Sequence, residues 1–246
     1  LILGHHAHTP IPTRTTRAVS TCLLWENTFY EKGSDLAARI ADLCTKVRAE
    51  DLAALAVRAR TDLKLRHVPL FLARQMAKLH KGRPVGDTLA TVIQRPDELG
   101  EFLTLYWKDK RQPLSAQVKR GLALAFGKFN EYQLAKWNRP TAIKLRDVLF
   151  LCHAKPKDAE QDALWKRLVA VELVTPDTWE VALSTGADKK ATWERLLAEK
   201  KLGYIALLMN LRNMVDAKVD RAPVEAALRE GAPKSRALPF RFISAA

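Results

Sequence analysis

From Ser34 onward, apolar residues recur at intervals of three and four: Leu36, Ile40 and Leu43; Leu52, Leu55, Ala59 and Leu63; Val68, Phe71, Leu72, Met76 and Leu79. That spacing lines one face of a helix and leaves the rest for polar side chains. The period returns at Leu99, Phe102, Leu103 and Tyr106, at Val118, Leu122, Ala125 and Phe129, and at Ile143, Val148 and Leu151. It continues at Leu164, Leu168 and Val171 and over one helix from Tyr204 to Val215, with Leu207, Leu208 and Leu211 inside it. Strand alternation is hard to find. The pattern predicts an all-α chain of about a dozen helices of roughly 10 to 18 residues. Start signals separate them: Ser34-Asp35, Pro96-Asp97-Glu98, and Thr175-Pro176-Asp177, with Thr175 as the cap and Pro176 at the first helical position. Short connectors between helices favour antiparallel pairs, and a string of such pairs makes a solenoid. No strict sequence period shows, so a compact orthogonal bundle stays open. Residues 5–17 and Gly231 to Arg236 lack an apolar period and read as flexible arms.

Composition narrows the classes. A 246-residue chain with 48% hydrophobic content can bury a large core or an extended repeat array, which excludes disorder. No apolar run reaches the roughly 18 residues of a membrane span, so a soluble protein is expected, with no membrane partner. Cys22, Cys44 and Cys152 are far apart and lack C-x-x-C spacing. Neither a disulfide framework nor a zinc site is indicated, and a reducing cytoplasm fits. The chain opens on Leu1 without signal-peptide order, which reads as a piece of a longer product. Its formal net charge is +14, and residues 107–167 hold 14 Lys+Arg against 6 Asp+Glu. Cations gathered on a few elements suit a polyanion, because each neutralised phosphate releases condensed counterions. A solvated surface is the plain alternative.

Several segments together resemble the TROVE domain, the RNA-binding module of the Ro autoantigen family, in a bacterial or phage-borne form without the von Willebrand factor A domain. They are WENTFYEKG with Phe29-Tyr30, HVPLFLARQM, EFLTLYWKDKRQPLSAQVKRGLALAF, KLRDVLFLCHAKP, TWEVAL, TWERLL, IALLMNLRNM and LPFRF, in that order. The resemblance covers residues 19–246, leaves 1–18 as an unplaced N-terminal arm, and ends before the family's last repeats. The family's Arg-Asn-Asn-Ala-Gly-Gly opening is absent. What the likeness implies is a HEAT-like helical-repeat solenoid curving into a ring or partial ring. It implies an RNA-binding scaffold for small structured non-coding RNA of the Y RNA kind, with single-stranded tails of misfolded RNA as a second ligand. RNA-degradation or RNA-repair proteins are the further partners it implies; no cofactor and no metal are expected.

The positions matching the family's basic surface are Lys136, Arg139 and His153, with Lys119 and Arg120 on the preceding helix and Lys128, Lys144 and Arg146 ranked behind them. Lys and Arg suit phosphate, Arg by engaging two oxygens at once, and an imidazole donates a hydrogen bond in either charge state. Each has a duller reading. His153 follows Leu151-Cys152 at a helix end, where it could cap carbonyls. Lys119 and Arg120 point about 100° apart on a helix. Lys136 and Arg139 lie three apart and share a face if their helix continues to Pro140, but Pro140 disfavours helical geometry at Arg139, and the alternative is a pair that straddles a helix end. Trp137 beside Lys136 could stack on a base, but core packing is the commoner fate of Trp107, Trp137, Trp165, Trp179 and Trp193. Asn210, Arg212 and Asn213 form a polar stripe that inter-repeat hydrogen bonds would explain equally well.

No catalytic motif appears, and Glu26, Glu31, Asp158, Glu160 and Asp162 have no evident chemical partner, so an enzyme is not expected. His5, His6 and His8 lack the fixed geometry a metal needs. The competing reading is a helical-repeat protein-protein interaction scaffold whose basic face receives an acidic partner.

Overall fold

The computed structural model describes residues 15, 16, 19, 33–184 and 186–235. Among the described residues every regular element is helical, as the apolar period requires: fourteen α-helices and one 3-10 turn. They are shorter than expected, 6 to 13 residues. The apolar period overruns several helix ends: Leu63 lies beyond the helix ending at Thr61, Val171 beyond the one ending at Ala170, and both are exposed. Cys22, Glu26, Phe29-Tyr30, Glu31, His5, His6, His8 and the LPFRF segment fall outside the described residues. The chain divides into two compact units between Val174 and Thr175.

In the first unit the helices are α1 (Gly33–Cys44), α2 (Ala49–Thr61), α3 (His67–Leu79), α4 (Arg83–Val92), α5 (Asp97–Tyr106), α6 (Ala116–Phe126), α7 (Glu131–Trp137), α8 (Leu145–Cys152) and α9 (Ala159–Ala170). Alternate helices pack side by side. α2, α4, α6 and α8 form one row, α1, α3 and α5 another, and α9 packs on α7 and α8. Such alternation is what a string of helical pairs gives when each pair buries its apolar stripe on the next. Leu52, Leu70, Leu72, Met76, Leu99, Phe102 and Phe126 are wholly enclosed, each worth roughly 1.5–3 kcal/mol of burial. Trp165 joins them, edge-on to Phe126 at 5.5 Å between ring centroids.

Two details fix the rows. Glu98, with no exposure, accepts two hydrogen bonds from Arg60 at 2.7 and 2.8 Å and one each from the backbone N–H of Gln94 and Arg95. The carboxylate thereby ties the turn that leads into α5 to the end of α2. α4 and α6 cross almost backbone to backbone: a Cβ at Gly121 would lie 2.7 Å from the Gly86 carbonyl oxygen. Only glycine fits there.

The second unit contains α10 (Trp179–Ser184), α11 (Lys189–Ala198), α12 (Tyr204–Met209), α13 (Leu211–Asp216), α14 (Arg221–Gly231) and a 3-10 turn at Ala232–Lys234. Trp193, Leu196, Leu207 and Met214 make its core, with Trp179 stacked on Trp193 at 6.3 Å. The expected start at Thr175 and Pro176 is displaced. Thr178 accepts the N–H of Val181 instead, and Asp177 is held by Arg195 and Lys201, which keep its carboxyl well below the usual range. The expected single helix from Tyr204 to Val215 breaks at Asn210, whose buried side chain donates to the Ala206 carbonyl and accepts from Asn213. The two asparagines of that polar stripe are thus paired locally. Gly231 closes α14 and residues 232–234 continue as a 3-10 turn, where a flexible arm was expected.

Candidate nucleic-acid interface

The segment joining α5 to α6 begins the site. The Trp107 indole donates to the Gln112 carbonyl at 2.8 Å, and the Arg111 guanidinium lies 5.0 Å from the Trp107 ring centroid, so the loop folds back on its own aromatic residue. The loop's carboxylate, Asp109, is drawn to α3, where Arg74 and Lys78 bind it and the Lys78 hydrogen bond leads in holding its carboxyl below the usual range. That removal leaves the outer loop cationic. Ser115 then caps α6 by accepting from the Val118 N–H, and Lys119 follows one turn in.

α8 packs beside α6 and supplies the opposite wall. Leu145, Val148, Leu149 and Cys152 take its buried face, which turns Phe150 outward with 60% of its surface exposed. His153 ends the helix in left-handed backbone, φ 52°, and its own N–H closes on the Leu149 and Phe150 carbonyls. This backbone cap leaves the exposed imidazole at the rim. Arg111, Lys119, Phe150 and His153, with Trp107 and Leu114, line an open groove of about 540 Å³ in which no carboxylate takes part.

A second group surrounds the end of α7. The helix stops at Trp137, so Lys136 and Arg139 straddle its end as Pro140 foretells. Lys136 stands 5.9 Å from the Tyr132 ring, while Arg95 and Arg139 lie 4.0 and 5.1 Å from that of Trp137. Those guanidiniums take the ring that could have stacked on a base. Arg139 also borders a cavity of about 570 Å³ whose wall includes His67, Asp97 and Glu101. Burial raises the Glu101 carboxyl, and burial with the neighbouring Arg66, Arg95 and Arg60 lowers the His67 imidazole. Its carboxylates make this cavity less hospitable to phosphate than the groove.

The other candidates are dispersed. Arg120 pairs with Asp87 of α4 at 2.7 Å, pointing away from Lys119 as the 100° offset requires. The Lys128 ammonium donates to the Ala90 and Ile93 carbonyls at 2.5 Å each, capping α4, and burial lowers its pKa. Arg146 sits 3.8 Å from Asp147; exposed Lys144 precedes α8, its backbone N–H donating to Asp147. Thus the structure brings Lys119 and His153 into one groove, sets Lys136 and Arg139 at another helix end, and gives Arg120 and Lys128 structural partners. Arg111, Lys119, Lys136, Arg139 and Lys144 form no ion pair among the described residues. Arg111 and Phe150 were missed in the sequence. The signal for Phe150 was present, since it lies off the apolar stripe of its own helix.

Cys44 and Cys152 are free and buried, which pushes the Cys44 thiol up to about 12 and raises that of Cys152. Neither is poised as a nucleophile. No group of His, Cys, Asp and Glu among the described residues could hold a metal ion, and no helix there is long and apolar enough to cross a membrane.

Comparison with known proteins meets the motif reading at the C-terminal end: residues 166–246 match the TROVE domain family. Telomerase protein component 1 of Mus musculus is 34% identical over 80 residues, and that of Rattus norvegicus 32% over 80. Those alignments take in 30% of this chain, which spans about 3% of the length of either relative. No solved structure matches. The matched stretch begins near the end of α9, so Arg111, Lys119, Lys136, Arg139 and His153 precede it.

Proposed function

We propose that this chain is an RNA-binding component of a ribonucleoprotein, and that it meets RNA phosphates through the groove of Arg111, Lys119 and His153, with Lys136, Arg139 and Lys144 as further contacts. The TROVE match and the telomerase-component relatives support RNA as the partner. One observation carries the choice of face: a guanidinium, an ammonium and an imidazole line one groove with no carboxylate among its lining residues. Elsewhere in and around this stretch carboxylates take up Arg120, Arg146, Lys166 and Arg167. Cations left without such partners keep their charge for a ligand.

The ligand of this reading is a small structured non-coding RNA of the Y RNA kind, with single-stranded ends of misfolded RNA also held and with degradation or repair left to other proteins. The helical rows of the first unit would extend into the expected ring. Backbone contacts of this type give affinity and register and little sequence readout. The chain acts as a scaffold in the cytoplasm, with no catalytic step of its own.

The test is RNA affinity of the purified protein across a salt series, beside Lys119→Glu with His153→Asn, the second change chosen because asparagine tolerates left-handed backbone. The parent should show log affinity falling linearly with log salt, by about 0.7 to 0.9 per phosphate contacted. The double variant should bind at least tenfold more weakly, with a shallower slope. Lys136→Glu with Arg139→Glu tests the second group in the same way. Salt-insensitive affinity, or undiminished binding by these variants, would overturn the assignment, and a stoichiometric protein partner without nucleic acid would instead favour the interaction scaffold.

A further inference from the structure

We infer that the groove between α6 and α8 holds one unpaired nucleotide, its base stacked on Phe150 and its phosphates met by Arg111, Lys119 and His153. This rests on the RNA reading above and assigns that site a single-stranded element instead of duplex. The first ground is the outward ring. Scattered exposed Leu and Val are ordinary on a protein surface, and this molecule has several, such as Leu124 and Val174. Phe150 differs in place: it stands in a groove with two unpaired cations and an imidazole, and no acid lines that groove. Aromatic faces interleaved with cations are the combination that binds unpaired nucleotides, since every base has a π face and every linkage a charge. A duplex end offers only its terminal base pair for such stacking.

The second ground is preorganisation. The indole-to-carbonyl bond of Trp107 with Gln112, the Arg111 stack and the removal of Asp109 to α3 fix the loop before any ligand arrives. On the facing wall, the backbone cap at His153 holds the imidazole at the rim. Little ordering cost remains to be met on binding. The volume, about 540 Å³, falls within the range of sites that hold a small ligand.

The experiment compares a blunt RNA duplex with the same duplex carrying a single-stranded 3′ tail of about five nucleotides, titrated against the intact protein and its Phe150→Ala and Phe150→Trp forms. The tail should raise affinity by about 5- to 150-fold, the worth of one stacked base. Phe150→Ala should remove that gain and Phe150→Trp should keep it. Because Phe150 is outward, both variants should retain the parent's melting temperature. Equal affinity for tailed and blunt RNA, or a tail gain that survives Phe150→Ala, overturns the inference while the RNA reading stands on the fall of RNA affinity with salt. If neither RNA binds, both fall. If polyglutamate displaces tailed RNA as well as unlabelled RNA does, the groove belongs to an acidic protein and the inference is again overturned.

Discussion

Two residues show how local geometry outweighs residue type. Val171 ends α9 in left-handed backbone at φ 63° with 67% of its surface exposed, an unfavourable place for a β-branched side chain. Left-handed backbone costs a non-glycine residue roughly 1–2 kcal/mol, whereas glycine gives back about 0.5–1 kcal/mol in chain entropy. Val171→Gly should therefore stabilise the protein by roughly 0.5–1 kcal/mol in urea unfolding; a loss would show that Val171 has packing the exposed surface conceals. Lys128 is a cation of the basic stretch that serves a helix end. Lys128→Ala should cost about 1 kcal/mol of stability, because the Ala90 and Ile93 carbonyls lose a charged donor. Its RNA affinity and salt slope should match the parent's, which separates a cap from a phosphate contact.

At the scale of elements, the close crossing of α4 and α6 sets the spacing of the row that carries the groove. Gly121→Ala would gain about 1 kcal/mol of helix propensity, yet its methyl would stand 2.7 Å from the Gly86 oxygen and 2.9 Å from Leu89 Cβ. Overpacking against backbone costs about 1–3 kcal/mol, so the clash should win and the melting temperature fall. A rise would mean that the two helices separate cheaply. The α5–α6 loop is governed by charge. Lys78 and Arg74 depress the Asp109 pKa in the folded protein, so their stabilisation is fully present above the unfolded value, about pH 4, and is lost as pH falls through the folded one. Asp109→Asn should lower the melting temperature at pH 7, and the gap to the parent should close in acid. A gap that persists at low pH would assign the effect to loop shape instead of charge.

For the whole molecule the deciding quantity is where the +14 net charge goes. Surface ion pairs contribute little to stability, so Arg120 or Arg146 is not essential to folding through its carboxylate. Their effect is subtraction, since each pair withdraws one cation from the set that can meet a polyanion. What remains between residues 107 and 167 is Arg111 and Lys119 in the groove and Lys108, Lys110, Lys136, Arg139, Lys144 and Lys155 elsewhere, without an ion pair among the described residues. A salt slope of a few contacts, well short of the count of basic residues, is the corresponding expectation for RNA.

The sequence by itself determined the helical class, because a period of three and four survives any arrangement of neighbours, and Leu99, Phe102, Val118 and Leu122 all became core. It also carried the TROVE likeness, which residues 166–246 bear out. Helix ends were less legible. Thr178 instead of Thr175, the break at Asn210 and the 3-10 turn after Gly231 depend on which side chains reach orphan amides and carbonyls, and those distances follow from folding. Lys119 and Lys128 are alike on paper; only tertiary structure put one beside Phe150 and His153 and the other against the carbonyls of α4. Charge is written residue by residue, but its availability is a property of neighbours, and neighbours are chosen by packing.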